Sequence, residues 1–177
     1  MQRYHPLLVA LHWIMAVLIL LALFFRKFVL SGMPLGAEKF EALAGHMSIG
    51  IAVGVLLVIR LITRFTTTAP PHASTGNGML DRIGVWTHYA FYILIAGMVL
   101  TGAMMGFGAG LFPVVFGGAE FVPPVDGRSG PPDFSPHGMI ATVLAALIFL
   151  HIAAALYHQI IVKDRLLSRM WFGRSQR

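Results

Sequence analysis

Residues 134–162 read FSPHGMIATVLAALIFLHIAAALYHQIIV, 29 positions without a single Asp, Glu, Lys or Arg. A helix needs roughly 20 mostly apolar residues to cross a hydrocarbon core about 30 Å thick, so this stretch is long enough to span a bilayer. Ser135 followed by Pro136 reads as an N-cap and a first helical residue, and the helix is expected to start there. Three more charge-free stretches precede it, at 6–25, 42–59 and 83–119. The second is short, but Arg60 and Arg64 can snorkel from its end toward headgroups. The third exceeds one span and turns Gly-rich after Gly106, where its helix is expected to end. Backbone groups facing lipid must be satisfied within their own segment, so all four read as helices.

The rest of the 177-residue chain agrees. It is 57% hydrophobic and 11% charged, with mean hydropathy +0.77. A soluble domain carries about a quarter of its residues charged, so water is the wrong solvent for most of this surface. The expected architecture is an all-α membrane protein: one domain over 1–177, a four-transmembrane-helix bundle with spans near 6–28, 40–64, 82–106 and 136–163. The segment 108–133 is expected to be a long, structureless outer loop, and 164–177 a basic cytoplasmic tail. The first apolar stretch is too long for a signal-peptide core and lacks a small-residue cleavage site before Arg26 and Lys27, so it reads as a retained span.

Charge placement sets the expected orientation. Four spans put the N-terminus, the second connection and the tail on one side, with nine basic residues (Arg3, Arg60, Arg64, Arg82, Lys163, Arg165, Arg169, Arg174, Arg177) against Asp81 and Asp164. The other side has Arg26, Lys27, Lys39 and Arg128 against five carboxylates, Glu38, Glu41, Glu120, Asp126 and Asp133. The positive-inside rule then places both termini in the cytoplasm. The net +6 follows from topology and does not argue for a nucleic-acid partner. With no cysteine in the chain, iron–sulfur clusters, thiolate-ligated haem, disulfides and covalently attached c-type haem are excluded.

Six of the eight histidines fall in or at the ends of the spans: His12, His46, His88, His137, His151 and His158. Intramembrane ionisable groups are costly and default to functional candidates. On helix four, His151 follows His137 by 14 residues, about 21 Å of rise and within about 40° of the same face. That puts one histidine near each membrane surface. An axial ligand lays a porphyrin alongside its own helix, where a small residue at i+4 gives the ring room. Ala16 follows His12 in this way, Gly50 His46, Ala141 His137 and Ala155 His151. His88, His158 and His5 have Tyr92, Val162 and Val9 instead. Depth then pairs His12 with His151 on the inner side and His46 with His137 on the outer, as axial ligands of two b-type haem irons. Polar interhelical contacts, or a zinc site, are the competing readings. Zinc favours a compact tetrahedral cluster, and these histidines are dispersed over two layers.

The motifs L-H-W at 11–13, G-H-x-S-x-G at 45–50, the span from His137 through H-x-A-A-A-L-x-H at 151–158, and K-D-x-L-L-x-R-M at 163–170 together resemble bacterial cytochrome b561. The likeness covers nearly the whole chain and is weakest over 108–133. It implies a multi-pass protein of the bacterial inner membrane with two haem b groups, held by His12, His46, His137 and His151. It also implies ubiquinone as an electron partner and, for some bacterial members, oxidation of superoxide on the outer side. As an enzyme the protein would be a quinone-linked oxidoreductase of the superoxide:ubiquinone type. Two alternatives stand beside this: a non-enzymatic haem-bearing anchor subunit for a dehydrogenase or hydrogenase, and a small transporter or scaffold using the histidines for protons or metal.

His158 lies seven residues beyond His151 and about 10 Å nearer the cytoplasm. It is a candidate to hydrogen-bond a quinone carbonyl, with Trp13 or His88 lining the pocket; a headgroup-facing histidine is the plainer reading. His88 is also a candidate haem-propionate partner or spare ligand, and Arg60 or Arg64 candidate propionate partners. Lys39, Arg26 and Lys27 form a candidate positive patch near the outer pair. Trp13, Trp86 and Trp171 fit interfacial anchoring in the surrounding lipid.

Overall fold

The computed structural model describes residues 3–34, 36–68, 70, 78–120, 135–164 and 166–172. Five α-helices carry the architecture: α1 Pro6–Phe28, α2 Ala37–Thr66, α3 Gly78–Gly108, α4 Leu111–Gly117 and α5 Pro136–Tyr157. Four of them are long and apolar enough to cross a membrane, by length and composition. No strand occurs among the described residues.

Local chemistry explains the helix ends. The Ser135 side chain accepts from the Gly138 amide at 3.1 Å with Pro136 in the first turn, and the His5 ring does the same for Leu7 ahead of Pro6. Both caps satisfy amides that no helical carbonyl can reach. Within the spans, Thr63, Thr66, Thr87, Thr101 and Thr142 each return a hydroxyl to the carbonyl four residues back. Such bonds let a polar side chain sit in a helix without seeking water.

Three elements differ from the sequence expectation. Helix α3 runs through Gly106 to Gly108 rather than stopping. Gly106 is a close approach and not a break: a Cβ there would stand 2.8 Å from Phe112 Cε2. Next, the segment from 108 is not structureless at its start. Gly110 and Gly118, both with positive φ, bracket the short helix α4. Phe112 of α4 stacks on Phe107 at 4.3 Å, folding this element back over α2 and α3. The stretch 121–134, which holds Asp126, Arg128 and Asp133, lies outside the described residues. Finally, the last span is not α-helical to its end. A π-helical turn over His158–Val162 follows Tyr157, and Lys163 at φ 59° stops it.

The tail folds back on the start of the chain instead of trailing away. Residues Leu166–Met170 form a 3-10 turn, and Trp13 Nε1 donates to the Met170 carbonyl at 2.8 Å. The Tyr4 amide donates to Arg169, and Arg3 reaches the Trp171 carbonyl. Both ends of the described chain therefore meet at one end of the bundle.

The core is small. Met15 of α1 and Val53 and Leu57 of α2 are buried and pack against Tyr92, Ile95 and Val99 of α3. Large apolar side chains point outward instead, among them Phe149 and Met104, each 72% exposed. Outward apolar surface on this scale fits a hydrocarbon solvent. Helix α1 packs along α2, α2 along α3 and α3 along α5, and α1 and α5 do not pack along one another in this way. His12 and His151 face one another between α1 and α5, and His46 and His137 between α2 and α5.

Candidate functional site

Helix α5 faces two partners. Near the end where the termini meet, the His151 ring lies 6.5 Å from His12 of α1, with planes crossed at 70°. Near the other end, His137 lies 6.3 Å from His46 of α2, crossed at 81°. A first-row metal sits about 2 Å from an imidazole nitrogen, and that nitrogen about 1 Å from its ring centroid. Two imidazoles on opposite sides of one ion thus hold their centroids about 6 Å apart. Both pairs have this separation. Among the described residues no three His, Cys, Asp or Glu side chains converge to chelate an ion.

The second pair borders a cleft with about 640 Å³ of non-protein space, part of it open to the surroundings. Gly50 and Ala141, the small residues one turn from His46 and His137, line it, with Val53, Leu144 and Arg26 among the others. A Cβ on Gly50 would meet nothing within 4 Å, so the ring clearance expected from sequence is open space here. One buried His46 nitrogen, Nδ1, has no hydrogen-bond partner among the described residues. Leaving such an atom unpaired costs about 1–3 kcal/mol, and the cleft beside this ring is where a bound group would lie. An apolar slot between two facing imidazoles fits a haem.

Hydrogen bonds orient His137. Its Nδ1 lies 3.1 Å from the Met98 carbonyl and 3.2 Å from Thr101 Oγ1. A carbonyl only accepts, and the Thr101 hydroxyl is already given to Gly97 at 2.6 Å. Nδ1 therefore carries the proton, and Nε2 is left with its lone pair, the form a metal requires. Gly102 makes room for this ring: a Cβ there would stand 3.0 Å from His137 Cε1. Sequence reading missed Met98, Thr101 and Gly102, because all three sit on a helix that carries neither member of a pair.

His88 of α3 stands 5.7 Å from His151, so it joins the first pair although Tyr92 occupies its i+4 position. Its Nδ1 lies 2.8 Å from the Gly84 carbonyl, which leaves Nε2 bare. Phe91 also flanks His151, at 5.2 Å. Trp13 touches His12 at 5.3 Å, but its N–H is committed to Met170. His158 is brought not to His12 or His88 but to Asp164, whose carboxylate meets Nδ1 at 2.5 Å. The other Asp164 oxygen accepts from the Leu166 amide. Of the candidate patch, Arg26 lines the cleft, Lys39 is turned to the Met33 carbonyl, and Lys27 is exposed. Trp86 is exposed and Trp171 packs on Trp13.

A family model for prokaryotic cytochrome b561 matches residues 3–173. The chain belongs to the prokaryotic cytochrome b561 family. It is similar to cytochrome b562 of Cereibacter sphaeroides, 27% identical over 94% of both chains. It is also similar to the probable superoxide oxidase CybB of Yersinia pestis, 25% identical over 96% of both. Cytochrome b561 homolog 2 of Escherichia coli K12 is 29% identical, over 96% of this chain and 91% of its own. As a cytochrome b561 family member the protein is a multi-pass bacterial membrane protein that binds haem b and serves electron transport.

Proposed function

We propose that the protein is a diheme b-type cytochrome that moves electrons across the membrane between an outer-side donor, superoxide being the candidate, and the quinone pool. The observation that carries this reading is the facing of His12 with His151 and of His46 with His137, at opposite ends of α5. On this reading His12 and His151 would hold the inner haem and His46 and His137 the outer. Each haem would supply one-electron chemistry. The termini and their basic residues then face the cytoplasm, and the membrane is the bacterial inner membrane.

The protein's own groups orient and exclude. Met98 and Thr101 hold His137 in its ligating tautomer. Apolar side chains keep water from the slot. At the inner end Asp164 fixes His158 with one ring nitrogen turned away from the carboxylate, available to a quinone oxygen or its proton. The balance of the reaction is simple: two superoxide anions become two dioxygen molecules, and their two electrons with two protons turn ubiquinone into ubiquinol. Support for superoxide comes from the likeness to the probable superoxide oxidase CybB of Yersinia pestis.

The test uses the purified chain alone in liposomes containing ubiquinone, with an enzymatic superoxide source outside. Superoxide-dependent quinol formation, abolished by added superoxide dismutase, is expected. A fully haem-loaded protein that is inert until another subunit is added would replace this reading with that of an anchor subunit for a dehydrogenase or hydrogenase.

A further inference from the structure

Three helices repeat one spacing. Helix α1 carries His12 and Arg26, α2 carries His46 and Arg60, and α5 carries His137 and His151, each pair 14 residues apart. Fourteen residues advance a helix about 21 Å and return to within about 40° of the starting direction. Each helix therefore shows two groups on one face, one per histidine layer. Because α2 runs opposite to α1, Arg60 falls at the layer of His12 and His151, and Arg26 at that of His46 and His137.

The contacts agree. Half-buried Arg60 donates through Nη1 to the Leu8 carbonyl at 2.7 Å, one turn before His12. Arg26 lines the cleft together with His46 and His137. Each layer thus holds one facing pair of imidazoles and one guanidinium, these three groups coming from three different helices, and His88 of α3 adds a third imidazole to the layer of His12 and His151. Neither arginine pairs with a carboxylate among the described residues. A cation at a low-dielectric site is costly unless an anion meets it. The last turn of α1 favours a cation through the helix dipole, which accounts for a charge at Arg26 but not for its place on the histidine face.

We propose that Arg26 and Arg60 are the counter-ions of the two layers, each binding the carboxylate side arms of the haem held at its own layer and raising that haem's reduction potential. This rests on the two-haem reading above. A positive charge favours the form holding one more electron. Arg26 is more exposed than Arg60 and more strongly screened, so its effect is the smaller.

The test is an equilibrium redox titration of the full-length protein in detergent, followed by visible absorbance, with haem per chain measured in parallel. Arg60→Gln is expected to shift the reduction equilibrium of one component by about tenfold, ~59 mV for one electron, and to leave the other in place. Arg26→Gln is expected to lower the other component. In a His151→Ala background, Arg26→Gln still shifts the remaining haem and Arg60→Gln does not. At full haem content, potentials that do not move, or two components that move together, overturn the proposal. A wild type with one haem per chain instead removes the two-layer reading itself. Should Arg60→Gln not fold, Arg60→Lys decides: a potential near the wild-type value upholds the role of charge, and a fall as large as that expected for Gln overturns it.

Discussion

At the residue scale, His137, a haem ligand in the proposed function, is oriented by groups on another helix. The Met98 carbonyl and Thr101 hydroxyl oxygen accept from its Nδ1–H, and Gly102 leaves the ring its place. Losing a second-layer partner of this kind typically costs 10–100-fold in metal affinity. Thr101→Val should stay nearer the low end, since Met98 still accepts, and the loss would be read as faster haem transfer to an apo-haem acceptor. Gly102→Ala should act through volume. Its Cβ would press on His137 at 3.0 Å, and overpacking of this kind costs about 1–3 kcal/mol. The expected result is an altered low-spin signal from one haem by electron paramagnetic resonance, with no change for Gly32→Ala, where a Cβ meets nothing within 4 Å. The facing of His12 with His151 and of His46 with His137 was legible from spacing and depth. Their hydrogen-bond partners on α3 were not, because nothing local in the sequence marks a backbone carbonyl as an acceptor for a ring on another helix.

Elements are placed by their ends. The Ser135 cap and the charge-free length of α5 could be read directly, and so could the helical state of all four spans. What sequence misjudged were glycines and the last turn. Gly106 was taken for a break because glycine lowers helix propensity, yet its role is the close seating of Phe112. The π-turn over His158–Val162 is bound up with a contact between residues 158 and 164 that no periodicity reveals. Ser135→Ala should cost about 1 kcal/mol, a fall of about 2–4 °C in Tm for a chain of this size, measurable by thermal unfolding in detergent. Asp164→Asn should leave haem content and both potentials unchanged while impairing quinol formation. An unchanged kcat and KM for ubiquinone would remove His158 and Asp164 from the quinone end.

For the whole molecule, α1 packs along α2, α2 along α3 and α3 along α5, and α1 and α5 do not pack along one another in this way. Between these apolar helices lies a slot bordered by His46 and His137. Composition and charge placement announced the membrane and the layers; the α4 fold-back and the tail seated on Trp13 arise from aromatic contacts between segments distant in sequence. Orientation is open to a direct check, since the chain has no cysteine. With both termini in the cytoplasm, Ala119→Cys should react with a membrane-impermeant maleimide in intact spheroplasts, and Thr68→Cys only after lysis. The reverse pattern would invert the topology. The central claim, two haems held by four histidines, is tested most directly by a reduced-minus-oxidised visible spectrum with haem quantified per chain, for wild type and His151→Ala. The account predicts b-type bands at about two haems per chain, falling toward one in the variant with the outer component retained. One haem or none in the wild type, or undiminished haem in His151→Ala, would contradict it.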